Sequence, residues 1–313
     1  MRTASEPAFL HLEPRRVPRP WGGTRVARRF GWDASEPCGE WWLASSYPGT
    51  ETALRAPGAG GPDLAAWLDG PGRARGCPAA ADFPVLLKFL DAETRLSLQV
   101  HPDDAVAARH GLPNGKTEAW HVLDAEPGAF VHLGLAEGVT PAQLMACLRD
   151  DPRDDEVVSL MRQVPVRAGD TVYVKAGTVH ALEGGISLFE VQQNSDATYR
   201  MHDWGRGREL HLDAAADAVQ DLPDVDAVPA PAGEGWVTLC EGPAFRMRRA
   251  VPAGSLELGP SAGFALLTVL AGRGQVAASG QTGELAPGDT LLVLDPATVE
   301  GDGLELLAVD VPG

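Results

Sequence analysis

The sequence is short of the residues that would mark a secreted or membrane-spanning protein. Only four cysteines occur among 313 residues, Cys38, Cys77, Cys147 and Cys240, and no two of them form a CxxC pair. Scattered cysteines of this kind are typical of free thiols in a reducing compartment. The sequence contains no run of about 20 apolar residues, the length that a helix needs to cross a bilayer. The N-terminal segment has no apolar core of signal-peptide length. We therefore expect a cytoplasmic protein with no membrane partner.

Positive charge is also scarce. The chain has 26 Lys and Arg residues against 43 Asp and Glu residues, so its formal net charge is −17. A chain this acidic would repel a phosphate backbone, which argues against nucleic acid as a partner. If the substrate is an anion, a few Lys and Arg side chains must supply the positive charge inside a pocket.

Turn-forming residues, by contrast, are plentiful. The 36 glycines and 26 prolines favour many turns over long helices. The predicted strands cover 84–92, 95–102, 118–125, 129–135, 170–177, 186–193 and 197–204, followed by 244–251, 254–259, 264–272, 289–296 and 304–311. Helical periodicity is confined to 63–70 and to a pair of helices in 140–163, interpreted as an insertion between strands. We predict a mainly all-β fold with the short strands of a sandwich or barrel.

Two segments far apart in the chain are similar to each other. GDTVYVKAGTVHAL (169–182) aligns with GDTLLVLDPATVEG (288–301), and Val299 stands where the first copy has His180. A barrel repeated twice, with polar site residues only in the first copy, explains this similarity; the alternative is that Gly-Asp-Thr turns before strands are simply common. Residues 221–235, rich in Pro, Ala and Asp, are interpreted as a linker. We predict a site-bearing domain over 1–220 and a degenerate second barrel over 236–313.

Four side chains in the first copy have the chemistry of a metal site. Gln99 and His101 are two residues apart on a predicted strand, so their side chains share a face. Glu118 is placed to lie on a neighbouring strand, and His180 on another. Two imidazoles, a carboxylate and an amide oxygen suit Zn²⁺ or another divalent transition metal better than Ca²⁺. Each residue alone could be an ordinary core or surface side chain; the joint pattern predicts a metal site.

Charged residues accompany this set. Lys116 lies two residues before Glu118 and shares its face if the segment is extended, while Arg200 follows Glu190 by ten residues. In an acidic chain, a Lys and an Arg beside a metal are candidate partners for phosphate or an oxyanion. Arg206 is a weaker candidate, because nearby Asp residues could pair with it on the surface.

At these residues the sequence resembles the short bacterial type I phosphomannose isomerases. The resemblance covers most of residues 15–210, and beyond it the chain matches only as a degenerate second cupin. The matching segments, in order, are PRPWGG (18–23) with GEWWLASS (39–46), LSLQVHPDD (96–104), GKTEAW (115–120), AGTVHAL (176–182) and FEVQQNSDATYRMHDWGR (189–206). The resemblance implies two cupin (jelly-roll) β-barrels. One departure is Lys175, which stands where the family usually has Pro.

The resemblance also implies a site and an activity. A single zinc would be held by Gln99, His101, Glu118 and His180, with Arg200 as the active-site arginine and with Lys116 and Glu190 in the pocket. The enzyme would interconvert mannose 6-phosphate and fructose 6-phosphate through an enediolate, whose negative charge a metal stabilises.

Several roles stay open at this stage. Glu190, Lys116 and a zinc-bound water are alternative general bases. The substrate phosphate is expected on Lys116 or Arg200 with the hydroxyl of Ser97, and Trp21 is a candidate lining residue that could equally be core. A monomer and a homodimer are both compatible with the sequence. The competing functions are a non-catalytic sugar-binding cupin and an iron-dependent cupin oxygenase, although the latter usually has a His-x-His pair where this chain has Gln99 and His101.

Overall fold

The computed structural model describes residues 6–55, 62–222, 226–233, 235–260 and 263–312. Strands dominate the described chain and all the helices are short, as expected for a mainly β protein with many turns. The strands are β1 (Phe9–Glu13), β2 (Arg15–Val17), β3 (Glu40–Ala44), β4 (Ala53–Leu54), β5 (Val85–Ala92), β6 (Leu98–Val100), β7 (Glu118–Ala125), β8 (Phe130–Leu135), β9 (Met161–Pro165), β10 (Asp170–Val174), β11 (His180–Leu182), β12 (Ile186–Gln193), β13 (Tyr199–His202), β14 (Ala227–Pro229), β15 (Val237–Glu241), β16 (Arg246–Ala250), β17 (Leu256–Leu258), β18 (Ala265–Ala278), β19 (Gln281–Leu285), β20 (Thr290–Val293) and β21 (Ala297–Asp310).

The helices predicted at 63–70 and within 140–163 are present, and three further short helices, at residues 25–30, 104–109 and 212–218, were not predicted. The helices are α1 (Arg25–Phe30), α2 (Leu64–Trp67), α3 (Asp104–Arg109), α4 (Pro141–Arg149), α5 (Asp154–Ser159) and α6 (Leu212–Ala218), with irregular turns at Leu68–Gly72 and Ala80–Asp82. Helix α4 begins at a capping box, in which the Thr140 hydroxyl accepts a hydrogen bond from the Gln143 backbone. The helical prediction over 140–163 was too long at its end, because β9 begins at Met161 and pairs with β8.

The chain folds into two compact units. The first contains residues 1–17, 41–88 and 230–313, and the second contains 18–40 and 89–229. The predicted domain boundaries, 1–220 and 236–313, stay a prediction. Residues 227–229, inside the predicted linker, form β14 and pair with β10. No described helix is long and apolar enough to cross a membrane.

The second unit is a sandwich of two antiparallel sheets. One has the strand order β13-β6-β11-β8-β9, and the other contains the run β14-β10-β7-β12. Apolar side chains of both sheets fill the space between them, including Val122, Leu133, Val172 and Leu188. The outer face of the five-stranded sheet packs against α3–α6 through another apolar cluster. The residues between the sheets therefore form a layered interior, as in a jelly roll.

The first unit holds a sheet with the strand order β15-β16-β21-β18-β20-β1-β4, to which β17 and β19 are attached. The described strand orders do not close on themselves, so the predicted barrels are open sheets in this structure.

Hydrogen bonding supports the internal repeat. Gly169 and Gly288 both have a positive φ, of 90° and 88°, and each donates its N–H to a neighbouring strand, at Val122 and Val269. In each copy the Asp that follows accepts a hydrogen bond from the backbone three residues earlier. The two Gly-Asp-Thr segments therefore form the same type of turn, and each turn bonds to the equivalent strand of its own unit.

Candidate metal centre

The five-stranded sheet aligns three of the predicted site residues in one row. Gln99, in the middle of β6, lies opposite His180 of β11 on one side and opposite Arg200 of β13 on the other. Directly opposed residues of antiparallel strands present their side chains on the same face. The flanking residues Leu98 and Val100 belong to the apolar cluster on the outer face, so the polar row faces the interior of the sandwich.

Glu118 reaches this row from the opposite sheet. Its two carboxylate oxygens lie 3.3 Å from Nε2 of His101 and 3.4 Å from Nε2 of His180. Candidate ligand atoms of these three residues all lie within 4.8 Å of one another. The amide nitrogen of Gln99 lies 3.1 Å from Nε2 of His180, and rotating the amide by half a turn would present its oxygen instead. The structure thus brings together all four residues that the sequence singled out.

Both histidines are oriented as metal ligands. Nδ1 of His101 lies 2.8 Å from the carbonyl oxygen of Ala197, and Nδ1 of His180 lies 2.9 Å from that of Thr178. A carbonyl only accepts hydrogen bonds, so each Nδ1 carries the proton and each Nε2 presents its lone pair to the cluster. This orientation by outer hydrogen bonds is typical of metal-ligating histidines.

The protonation states also suit a cation. Burial, followed by the charge of Lys116, lowers the pKa of His101 to about 3, and burial lowers the pKa of His180. Burial alone would raise the pKa of Glu118, but His101 and Lys116 outweigh it and the net shift is downward. At neutral pH the site therefore has two neutral imidazoles and a carboxylate, the forms that bind a metal ion.

Unused polar atoms point to the same conclusion. Nε2 of His101 and both oxygens of Glu118 are fully buried, and they make no hydrogen bond within the described chain. Leaving such groups buried and unsatisfied is costly. A divalent cation coordinated by these atoms would compensate for that cost, so the residues fit a metal.

Lys116 lies beside the cluster. Its Nζ is 3.6 Å from Glu118, and the side chain is almost fully buried. The backbone N–H of Lys116 donates to the carbonyl of Pro102. Gly115 makes this approach possible, because a Cβ there would lie 2.6 Å from the backbone of Asp103. The loop that carries Lys116 is therefore held against the segment that carries His101.

Glu190 occupies the next layer of the interior. It lies opposite Trp120 in the β7–β12 pair and accepts a hydrogen bond of 3.1 Å from the indole N–H. The Trp120 ring also packs edge-on against His180, with 5.5 Å between centroids. Sequence reasoning missed Trp120, although its position two residues after Glu118 places it on the same face of β7.

The remaining predicted residues lie in different surroundings. Ser97 is buried and precedes Gln99 by two residues in an extended segment, whereas Trp21 is 4% exposed and belongs to the apolar core of the second unit. Arg206 donates to the carbonyl of Arg95. Lys175, where the family usually has Pro, is exposed, and its carbonyl accepts the N–H of Thr178 in the turn before His180. That turn therefore forms without proline.

The first unit has apolar residues at the equivalent positions. Matching the two Gly-Asp-Thr turns makes His180 equivalent to Val299, and the strand registers then pair Val299 with Leu256 as His180 pairs with Gln99. The same registers make Ala265 equivalent to Glu118, because each lies opposite the last residue of the matching strand. Ala265 and Val299 lie in the core of the first unit, and Leu256 packs against it. The predicted loss of site residues from the second copy thus has a structural counterpart.

Comparisons with known proteins show the family to which the chain is similar. Residues 9–126 match the family model described as phosphomannose isomerase type I, catalytic domain. The chain is 34% identical to mannose-6-phosphate isomerase of Streptococcus mutans over 97% of this chain and 98% of that protein. It is 32% identical to mannose-6-phosphate isomerase ManA of Bacillus subtilis over 92% and 93% of the two chains.

Solved structures show the same fold. The crystal structure of the mannose 6-phosphate isomerase from Bacillus subtilis has a TM-score of 0.85 at 28% identity, with 97% of this chain and all of that chain covered. The apo form of the Salmonella typhimurium enzyme has a TM-score of 0.75 at 16% identity, which shows the fold alone, with 98% and 100% covered. The near full-length similarity at 34% identity identifies the family. The chain belongs to the type I phosphomannose isomerases.

Proposed function

We propose that this protein interconverts mannose 6-phosphate and fructose 6-phosphate, using a divalent metal held by Gln99, His101, Glu118 and His180. The observation that carries the proposal is the convergence of these four side chains from two facing sheets of one unit. Family membership and the names of the relatives support the reaction. The neutral, correctly oriented imidazoles support the metal.

Zinc is the metal that we propose. Two imidazole nitrogens, one carboxylate and one amide oxygen form a mixed N/O donor set of the kind that Zn²⁺ accepts. When bound, the ion would supply a Lewis acid that stabilises negative charge on the sugar oxygens. Because no thiolate lies in the set, other divalent transition metals are expected to substitute for zinc in part.

Arg200 is proposed to bind the anionic parts of the substrate. Its place opposite Gln99 puts it on the metal-facing side of the five-stranded sheet. Its Nε is buried and makes no hydrogen bond to any described residue. The guanidinium therefore keeps a donor for an oxyanion, whether the substrate phosphate or the enediolate. Ser97, on the same face by its alternation with Gln99, is proposed to assist in binding, and Trp21 is proposed to support the pocket from the apolar core.

Glu190 and Lys116 are the proposed proton carriers. Isomerisation removes a proton from one carbon beside the carbonyl and returns a proton to its neighbour. The indole N–H of Trp120 donates a hydrogen bond to Glu190 and so orients the carboxyl group that is proposed to accept the proton. Lys116 is buried near Glu118 and can donate to the sugar oxygens. The two roles predict losses of activity at opposite ends of the pH–rate profile. Protonation of the base lowers the rate at low pH, and deprotonation of the acid lowers it at high pH.

A coupled isomerase assay with and without chelator tests the proposal. Mannose 6-phosphate should yield fructose 6-phosphate, the chelated protein should lose turnover, and adding back Zn²⁺ should restore it. A non-catalytic sugar-binding cupin would bind the sugar phosphate without turnover, and an iron oxygenase would consume O₂; the family assignment favours neither. Full activity in protein shown to be metal-free by elemental analysis would overturn the proposal.

The remaining predictions concern location and organisation. A cytoplasmic location is proposed from the four cysteines: Cys77, Cys147 and Cys240 carry free thiols, and the Cys38 thiol donates to the carbonyl of Glu40. The second copy of the repeat is proposed to have a structural role, because its residues at the positions equivalent to the proposed metal ligands are apolar. Both a monomer and a homodimer stay compatible with these observations.

A further inference from the structure

The loop 203–211, which we call the Asp203 loop, leaves β13 and folds back onto Arg200. The N–H of His211 donates to the carbonyl of Arg200 at 2.8 Å, and the N–H of Arg200 donates to Nδ1 of His211 at 3.1 Å. The guanidinium of Arg200 also donates through Nη1 to the carbonyl of Glu209 at 2.8 Å. Both the backbone and the side chain of Arg200 are therefore held by the far end of this loop.

The loop has an unusual backbone. Trp204 has a φ of 54°, and Gly205 and Gly207 follow with 74° and 77°. Glycine adopts such angles freely, but a bulky residue such as Trp does so only when its surroundings impose the conformation. The surrounding contacts must therefore stabilise this loop conformation.

Asp203 supplies those contacts from within the loop. It is buried, with 5% of its surface exposed. Its carboxylate accepts the backbone N–H of Arg208 at 2.9 Å and pairs with the Arg208 guanidinium through Nε, at 3.0 and 3.1 Å, and through Nη2. The carbonyl of Asp203 accepts the N–H of Arg206. One carboxylate thus closes the turn that directs the chain back towards Glu209 and His211.

The base of the loop is fastened to the segment that leads into β6. The indole N–H of Trp204 donates to the carbonyl of Leu96, and Nη1 of Arg206 donates to that of Arg95 at 2.7 Å. The Arg95 guanidinium lies over the Trp204 ring, 4.3 Å from its centroid. Because Leu96 is followed by Gln99 and His101, the loop is anchored to the same chain segment that carries two of the proposed metal ligands.

We propose that Asp203 is a positioning residue for Arg200: by closing the loop it fixes His211, which holds the Arg200 backbone, and Glu209, which holds the guanidinium. This inference rests on the proposed role of Arg200 in the isomerase reaction. Asp203 itself faces Arg208, so it acts through the loop and touches neither the proposed metal ligands nor the substrate groups assigned above. Removing the Asp203 carboxylate should therefore cause part of the kinetic defect of an Arg200 variant, and the two variants should be affected in the same parameter, kcat or KM.

A double-mutant cycle of Asp203→Asn and Arg200→Lys tests the proposal, with kcat, KM and metal content measured for each variant. Asp203→Asn should lower kcat/KM about 10- to 100-fold, as expected when a reactive group is displaced by about 1 Å. It should keep the metal and should have little further effect in the Arg200→Lys background. Equal fold-losses in the two backgrounds, or wild-type kinetics for Asp203→Asn, would overturn the proposal.

The matched control is Asp310→Asn. Asp310 lies in the first unit, is fully buried and pairs with two arginines, Arg246 and Arg248. Its substitution should lower the melting temperature by an amount comparable with Asp203→Asn while kcat/KM stays within about twofold of wild type, so a general loss of stability is separated from a loss of positioning. If Arg200→Lys alone had wild-type kinetics, the proposed role of Arg200 would fail, and the Asp203 proposal with it.

A second variant covers the case in which Asp203→Asn does not fold. Arg208→Gln removes the guanidinium pair but leaves the backbone N–H of Arg208 bonded to Asp203. It should show the same defect as Asp203→Asn, smaller in size and in the same parameter, and again absent in the Arg200→Lys background. Wild-type kinetics for a folded, metal-loaded Arg208→Gln protein would count against the proposal.

Discussion

Gln99 and Arg200 lie directly opposite each other across the β6–β13 pair, with both side chains on the interior face of the sheet. This register places the proposed anion-binding guanidinium one strand away from the proposed metal ligands. His180 occupies the same row on the other side of Gln99. The two proposed functions can therefore be tested separately, because a proposed metal ligand can be replaced without removing Arg200, and Arg200 without removing a ligand.

Removing a metal ligand should abolish metal binding and activity together. His180→Ala, His101→Ala and Gln99→Ala should each reduce the zinc content measured by elemental analysis, and the isomerase rate should fall in proportion. The physical reason is that each substitution removes one donor from a four-donor set. The control is Val299→Ala, at the position equivalent to His180 in the first unit, which should lower stability and leave metal content unchanged. A metal-free His180→Ala protein with full activity would contradict the assignment.

Removing Arg200 should separate catalysis from metal binding. Arg200→Ala should keep the metal and lower turnover roughly 100- to 1,000-fold, the loss typical of a single donor to a developing oxyanion. Arg249→Ala is the control, because Arg249 pairs with Glu305 in the first unit at 2.8 Å and should have near wild-type kinetics. Loss of metal from Arg200→Ala would show that the arginine is structural.

Trp120→Phe should test the indole hydrogen bond to Glu190. The substitution keeps an aromatic ring against His180 and removes the N–H donor, so we expect turnover to fall about tenfold with metal retained. Trp67→Phe is the control, because Trp67 is fully buried in the first unit and its Nε1 makes no hydrogen bond to a described residue. Equal kinetics for the two variants would show that the hydrogen bond to Glu190 has no catalytic role.

Glu183 should make stability depend on pH. Burial alone would raise its pKa, but the imidazole of His132, 3.0 Å away, and the hydrogen bond from Arg95 lower it overall. A carboxylate with a lowered folded pKa stabilises the protein above its unfolded pKa of about 4.3, and this contribution is lost as the pH falls through the folded value. Glu183→Gln should therefore lower the melting temperature at neutral pH.

The difference between wild type and Glu183→Gln should shrink between about pH 5 and pH 3. Melting curves across this range measure the effect. Glu93→Gln is the control, because Glu93 is more than half exposed and 3.7 Å from Arg25, so its effect should be small at every pH. A difference that grows on acidification would contradict the sign of the shift.

The interior of the site shows how far local sequence patterns reach. Strand periodicity places Gln99 and His101 on one face, and also Lys116 and Glu118, because successive side chains of an extended chain alternate. The same local information missed the start of β9 at Met161, where apolar residues spaced as in a helix continue into a strand. Pairing with β8, which brings Val164 opposite Val131, makes this segment a strand. Local propensity does not include such a contact between separate segments.

The amino-acid sequence alone determined the mainly β fold, the capped helix α4, the internal repeat and the side chains of the proposed metal site. These features depend on side-chain type and on spacing within a few residues. Only the tertiary structure decided that Gln99 lies between His180 and Arg200, that Trp120 binds Glu190 and that Asp203 closes a loop onto Arg200. These relationships depend on strand register and on contacts between segments far apart in the chain. Such contacts form only when the hydrophobic interior of the sandwich is closed, which is why they cannot be inferred one segment at a time.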